Sequence, residues 1–304
     1  MSEIPLTTKR IGLAQIFISP DERRLRAGWR LLLQTLIMLF IAVILTVILK
    51  PILGEPQGRN IDFLIGQLIY IVMMTGSVYM ARRSLDKRSF VSLGLQISKQ
   101  AWFDILTGVA VTFLLMGLIY VVEMASGWLT FINFAWQVDP ARTVVSSGLI
   151  FLISFLIVGW NEELLSRGYH LQTIASGTNL LWGALMSSSI FGIAHLGSPN
   201  ATWVGAAGIF FVGLFFAYAF LRTGQLWLSI GLHIGWNFFQ GVVFGFPVSG
   251  LDIYPLIQTD IQGPEIWTGG AFGPEAGLIV LPALIVGTVL IYFYTKNRER
   301  AQNP

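Results

Sequence analysis

Eight stretches of mostly apolar residues, each about twenty long, dominate this chain. They run near 31–49, 62–80, 101–122, 144–161, 179–196, 203–221, 225–246 and 274–295. A helix of roughly 20 apolar residues crosses the ~30 Å hydrocarbon core of a bilayer. The fourth stretch continues as a more polar helix to about residue 175. So many apolar runs cannot all be hidden in a soluble domain of 304 residues, of which 54% are hydrophobic and 12% charged. That is about half the ~25% charged fraction of soluble domains. A soluble enzyme, a nucleic-acid binder and a disordered protein are therefore poor candidates. The expected fold class is all-α, a polytopic membrane protein of about eight transmembrane helices. The absence of cysteine excludes disulfides, thiolate metal sites and a cysteine nucleophile.

Lys and Arg set the orientation, since they concentrate in cytoplasmic loops. With the N-terminus inside, fifteen fall on the inner side: Lys9, Arg10, Arg23, Arg24, Arg26 and Arg30 in the tail, five more at 82–99, then Arg222, Lys296, Arg298 and Arg300. Only Lys50, Arg59 and Arg142 fall outside. Both termini are expected in the cytoplasm. The organisation reads as a basic cytoplasmic tail (1–30), one membrane domain (31–296, with a motif-bearing core at 145–245) and a C-terminal tail (297–304). The N-terminal tail has no apolar run and does not read as a cleavable signal peptide. Trp102, Trp128, Trp136, Trp160, Trp203, Trp227 and Trp267 lie near span ends, as an aromatic belt requires. The segment 247–273 is expected to be the longest outer loop.

Ionisable groups within spans are costly and are functional candidates by default. Asp104 and Glu123, at opposite ends of the third span, are expected to reach water or headgroups. Three other places resist that reading. In Glu162-Glu163-Leu164-Leu165-Ser166-Arg167, adjacent residues point about 100° apart. Glu163 and Arg167 stand at i, i+4 in the order that favours an ion pair, which leaves Glu162 on another face. His195, in Phe191-Gly-Ile-Ala-His195, follows small residues that admit a neighbouring helix; alone it reads as a packed histidine. His233 and Asn237 share one helix face. Gly231 and Gly235 lie on the opposite side, so one face of this span can dock while the other presents His and Asn. His170 is expected to be solvated or interfacial.

Glu162 and His195 flank the turn at Gly177 at similar depth in an antiparallel hairpin. A carboxylate facing an imidazole can share a water, accept its proton and pass it to a leaving amine. His233 and Asn237 could hold the oxyanion of a tetrahedral intermediate. The same Glu162, His195 and His233 could instead ligate zinc with a position open for water, although no H-E-x-x-H is present. One geometric condition follows. Glu162 and His195 lie about 22–27 Å from their turn and His233 about 12 Å from its own, at 1.5 Å per residue. The depths match only if the hairpin around Gly177 projects roughly 10–15 Å beyond the 222–225 turn.

The ordered set Glu162-Glu163-x-x-x-Arg167, Phe191-x-x-x-His195 and His233-x-x-x-Asn237 resembles the CPBP intramembrane proteases, which include CAAX prenyl endopeptidases and bacteriocin self-immunity proteins. The resemblance covers about residues 145–245. It implies that Glu162 and His195 activate water, that His233 and Asn237 form the oxyanion site, and that Glu163 and Arg167 are structural. It also implies a glutamate-type mechanism without cofactor, zinc being the alternative. The expected function is intramembrane endopeptidase in the plasma (inner) membrane of a prokaryote, with the site opening toward the cytoplasm. The expected partners are a peptide or protein substrate, lipid-modified or membrane-associated, and membrane lipids, with no nucleic acid. The alternatives are a non-catalytic immunity or scaffold protein and a transporter.

Overall fold

The structure is a computed structural model that describes residues 14–19, 22–53 and 58–302. Lys9 and Arg10 of the basic tail lie outside the described residues. The long helices, in chain order, are α1 (Ala27–Leu53), α2 (Arg59–Ser84), α3 (Lys99–Ala125), α4 (Ala141–Glu163), α5 (Leu180–Ala194), α6 (Trp203–Thr223), α7 (Trp227–Asn237) and α8 (Val280–Gln302). The helix begun by α4 runs on through a π-helical segment, Leu164–Leu171, and a last turn, Gln172–Gly177.

Seven helices among the described residues are long and apolar enough to cross a membrane. The stretch expected as a further span, 225–246, is α7 continued by π-helical turns at Phe238–Val243. Every residue of α7 from Leu228 to Asn237 is buried. This helix is sheathed by protein instead of lipid, so it need not match the thickness of a bilayer. Peripheral helices behave oppositely: Phe40, Val43 and Val47 of α1 present bare apolar side chains outward, as a lipid-facing surface does.

Glycines set the seam between α3 and α7. A Cβ on Gly108 would fall 2.4 Å from the Leu232 nitrogen, and one on Gly231 would fall 2.4 Å from the Ile105 carbonyl oxygen. Membrane helices gain most from van der Waals packing, which small residues allow by close backbone approach. One side of α7 is thus pressed on α3, and the other faces α4, α5 and α6. A core of Leu115, Met116, Phe215, Phe216, Leu232 and Trp236 fills the space between α3, α6, α7 and α8.

The helix ends define two faces. On one, Asp86 accepts from Arg30 at 2.5 Å and from Arg82 at 3.0 Å, and Arg30 also donates to Ser176 at 2.6 Å. On the other, strands β1 (Leu129–Phe134) and β2 (Ile257–Ile261) pair antiparallel, Leu129 opposite Ile261. This pairing falls partly in the segment expected as loop; five residues of strand leave little periodicity to detect.

Asp104 and Glu123 depart from expectation, since both are buried. Asp104 accepts from Tyr294 at 2.8 Å and from Arg298 at 2.7 and 3.1 Å, so it ties the start of α3 to the end of α8. Neither oxygen of Glu123 has a hydrogen-bond partner among the described residues.

Candidate active site

Helix α4 delivers two carboxylates about 100° apart around its axis. Glu163 is fully buried, and its Oε1 accepts from Arg167 Nη1 at 2.8 Å, the ion pair that the i, i+4 spacing predicts. Arg167 also donates to the Gly213 carbonyl at 2.8 Å, and its guanidinium lies 4.5 Å from the centre of the Phe191 ring. A buried charge is tolerable only when paired and hydrogen-bonded, and this one is held on three sides. The same Glu163 Oε1 lies 2.8 Å from His233 Nδ1. Glu162, on another face of the helix, retains 31% side-chain exposure.

Both imidazoles present Nε2 to Glu162. His195 ends α5, and its Nδ1 lies 2.8 Å from the Phe191 carbonyl oxygen. A carbonyl only accepts, so Nδ1 carries the proton and Nε2 of the neutral ring is left with its lone pair. That Nε2 is 3.9 Å from Glu162 Oε2. His233 Nε2 is 3.6 Å from the same oxygen. Its ring stacks on Phe216 with centroids 5.0 Å apart, and Phe191 meets it edge-on at 6.1 Å. Gaps of this length exceed a direct hydrogen bond.

Depths agree because the hairpin does project. The α6–α7 turn lies level with residues 168–172: Leu226 donates to the Gly94 carbonyl and touches Gly168, while Gln172 donates to the Leu93 carbonyl next to Gly94. The chain continues five to nine residues beyond that level to Gly177, about 8–14 Å at 1.5 Å per residue. The extra length is occupied by the Arg30–Ser176 contact and by packing of Gly177 on Ala27.

Glu162, His195, His233 and Asn237 line a cavity of about 120 Å³ with Phe63, Gln67, Ser249 and Glu275. Glu162 and His195 also border a wider cleft of about 510 Å³ between α2 and α5, lined by Tyr70, Met74, Ile190 and Ala194. Arg167 and Glu163 stand behind the cavity. His170, expected in a solvated place, is instead buried and lines the cleft. The π-helical turns that carry it pack inward against α2 and α5, so the polar stretch of sequence is not a solvated surface.

Residues 144–239 match the family model described as type II CAAX prenyl endopeptidase Rce1-like. Over these residues the chain is similar to the CAAX protease family. A relative, the uncharacterized protein YyaK of Bacillus subtilis (strain 168), is 25% identical over 275 residues, which span 86% of this chain and 87% of that protein. With its apolar helices the chain is an integral membrane protein.

The matched residues include Glu162, His195, His233 and Asn237, but the far wall of the cavity comes from beyond them. Glu275 is 2% exposed. Its Oε1 accepts from Trp236 Nε1 at 3.0 Å, and its Oε2 accepts from the Ser249 amide at 2.7 Å and hydroxyl at 3.0 Å. Burial pushes its carboxyl up from the ordinary range, against the opposing pull of these donors. Nothing in the sequence singled out Glu275 or Ser249: Ser249 lies in the expected outer loop 247–273, and Glu275 stands at the very start of the expected span 274–295. Zinc needs donors gathered within about 2.0–2.2 Å of one point. Among the described residues no group of three His, Cys, Asp or Glu is gathered to hold a metal ion, and no chemical step is assigned to a metal.

Proposed function

We propose that this protein is an intramembrane endopeptidase that hydrolyses a peptide bond with a water activated by Glu162 and His195. The observation that carries the reading is the approach of Glu162 Oε2 to the Nε2 atoms of His233 and His195, at 3.6 and 3.9 Å, in one cavity. A water there donates one proton toward Glu162 and the other toward the bare Nε2 of His195, which leaves a lone pair for the substrate carbonyl. As the C–O bond forms, Glu162 takes the proton. The carbonyl π pair moves onto oxygen, where Asn237 Nδ2 and His233 Nε2 donate to it. For His233 to donate, its ring carries both protons, because Nδ1–H is directed to Glu163; carboxylates on both sides balance that charge. Collapse of the intermediate breaks the C–N bond, and Glu162 passes its proton to the leaving amine.

The substrate fits as a peptide, lipid-modified or membrane-associated, entering by the apolar cleft between α2 and α5. The excess of Lys and Arg on the Arg30–Asp86 face is what a cytoplasmic face carries, and in our reading the site opens toward the cytoplasm of a plasma membrane. The test is hydrolysis of prenylated and unprenylated CAAX-type peptides by purified protein in proteoliposomes, with Glu162→Ala as control. Glu162→Ala should lose about 10²–10⁴ in rate, and activity that survives it would sink the assignment. Elemental analysis of the active protein, with a chelator arm, decides the metal question: stoichiometric zinc whose removal abolishes hydrolysis would replace this mechanism.

A further inference from the structure

We propose that Glu275 is a positioning residue of this peptidase site, holding α7 and the 247–251 segment in the register that aims Asn237 at the reacting carbonyl. The proposal rests on the endopeptidase reading and extends it to a residue outside the matched residues 144–239. Glu275 borders the same cavity as Glu162, His195, His233 and Asn237. A buried carboxylate is expensive unless donors surround it, and here three converge on two oxygens. Each oxygen serves a different part of the wall. Oε1 holds the indole of Trp236, the residue before Asn237 and itself 1% exposed. Fixing that indole fixes the rotation of the last turn of α7 just where regular helix gives way to π-helical turns at Phe238. Oε2 holds the Ser249 backbone, which carries Val248, Ser249 and Leu251 along the cavity.

The mount of Glu275 is itself tightly fitted. A Cβ on Gly208 of α6 would fall 1.7 Å from the Glu275 carbonyl oxygen. Gly273, at φ +104°, would place a Cβ 2.2 Å from the Pro247 carbonyl oxygen. Backbone therefore rests on backbone on both sides of the acid, and its side chain is delivered to the cavity wall from a fixed base.

Glu275→Gln tests the arrangement. A carboxamide has one accepting oxygen and a donating NH2, so it cannot accept both at the Oε1 position facing Trp236 and at the Oε2 position facing Ser249. With the fold intact, kcat should fall about 10–100-fold, the cost of misplacing a reacting group, while KM stays near wild type. In a Trp236→Phe background the carboxamide can turn its carbonyl to Ser249. There, adding Glu275→Gln should cost less than about 3-fold in kcat, the coupling expected when the two residues act through one contact. Hydrogen exchange at the Ser249 amide, read without any substrate, should accelerate in Glu275→Gln and recover in the double variant. A folded Glu275→Gln with wild-type kcat, or strictly additive losses, overturns the proposal. Should Glu275→Gln fail to fold, Trp236→Phe alone carries the same kcat expectation, and wild-type kcat in it overturns the proposal equally. The absence of any Glu162-dependent hydrolysis in the wild type would mark failure of the endopeptidase reading instead.

Discussion

Replacing Arg167 by Met should be among the most damaging single changes in the bundle, and the structure says why. The side chain is fully buried. Arg167→Met deletes an ion pair and a hydrogen bond, each at 2.8 Å, and the stacking on Phe191. What remains is Glu163 in the interior, with one oxygen directed only to His233 and the other without a partner. Removing one member of a buried pair costs about 3–5 kcal/mol where the survivor is left uncompensated; here the His233 ring alone remains beside Glu163, so the loss falls toward the lower end of that range. Neutralising the survivor should then restore stability. In Glu163→Gln/Arg167→Met the carboxamide oxygen still accepts from His233 Nδ1 and no charge is stranded. The double variant should therefore be more stable than Arg167→Met alone by at least about 1.5 kcal/mol, within the range of coupling for contacting residues. Reversible unfolding in mixed micelles gives all four corners of the cycle. If the two single losses simply add, charge compensation is not what keeps Arg167 in place, and the reasoning about this pair is wrong.

Three further expectations follow. Asn237→Ala should lower kcat about 10²–10³-fold, as loss of one oxyanion donor does, and should leave thermal stability near wild type; peptide hydrolysis and a melting curve on the same sample check both. Gly235→Ala sets a Cβ 2.1 Å from Thr112 Oγ1, an overpacking that should cost about 1–3 kcal/mol; Thr112→Ala should rescue part of it. Gly108→Ala, whose Cβ meets the backbone of Leu232 at 2.4 Å, should not be rescued by any single side-chain truncation.

Much of this molecule is legible in the chain itself. Hydrophobic runs of bilayer length announce membrane helices because unsatisfied backbone is intolerable in hydrocarbon. Helical spacing alone joins Glu163 to Arg167 and sets Gly231 and Gly235 opposite His233 and Asn237. Even the projection of the hairpin at Gly177 follows from counting residues on both sides of a turn. Those features are local, and one helix with its fixed rise and rotation determines them.

The remainder depends on which helices meet. That α7 is enclosed by protein, that His170 and Asp104 are buried rather than wet, and that Glu163 bridges Arg167 to His233 are relations between elements far apart in sequence. Glu275 is the clearest case. In the chain it is one acid among several in a Gly- and Pro-rich segment, and no spacing links it to Trp236 or Ser249. Only the folding of that segment onto α6 and α7 brings its carboxylate to the cavity, because burial and hydrogen-bond partnership are properties of neighbours in space.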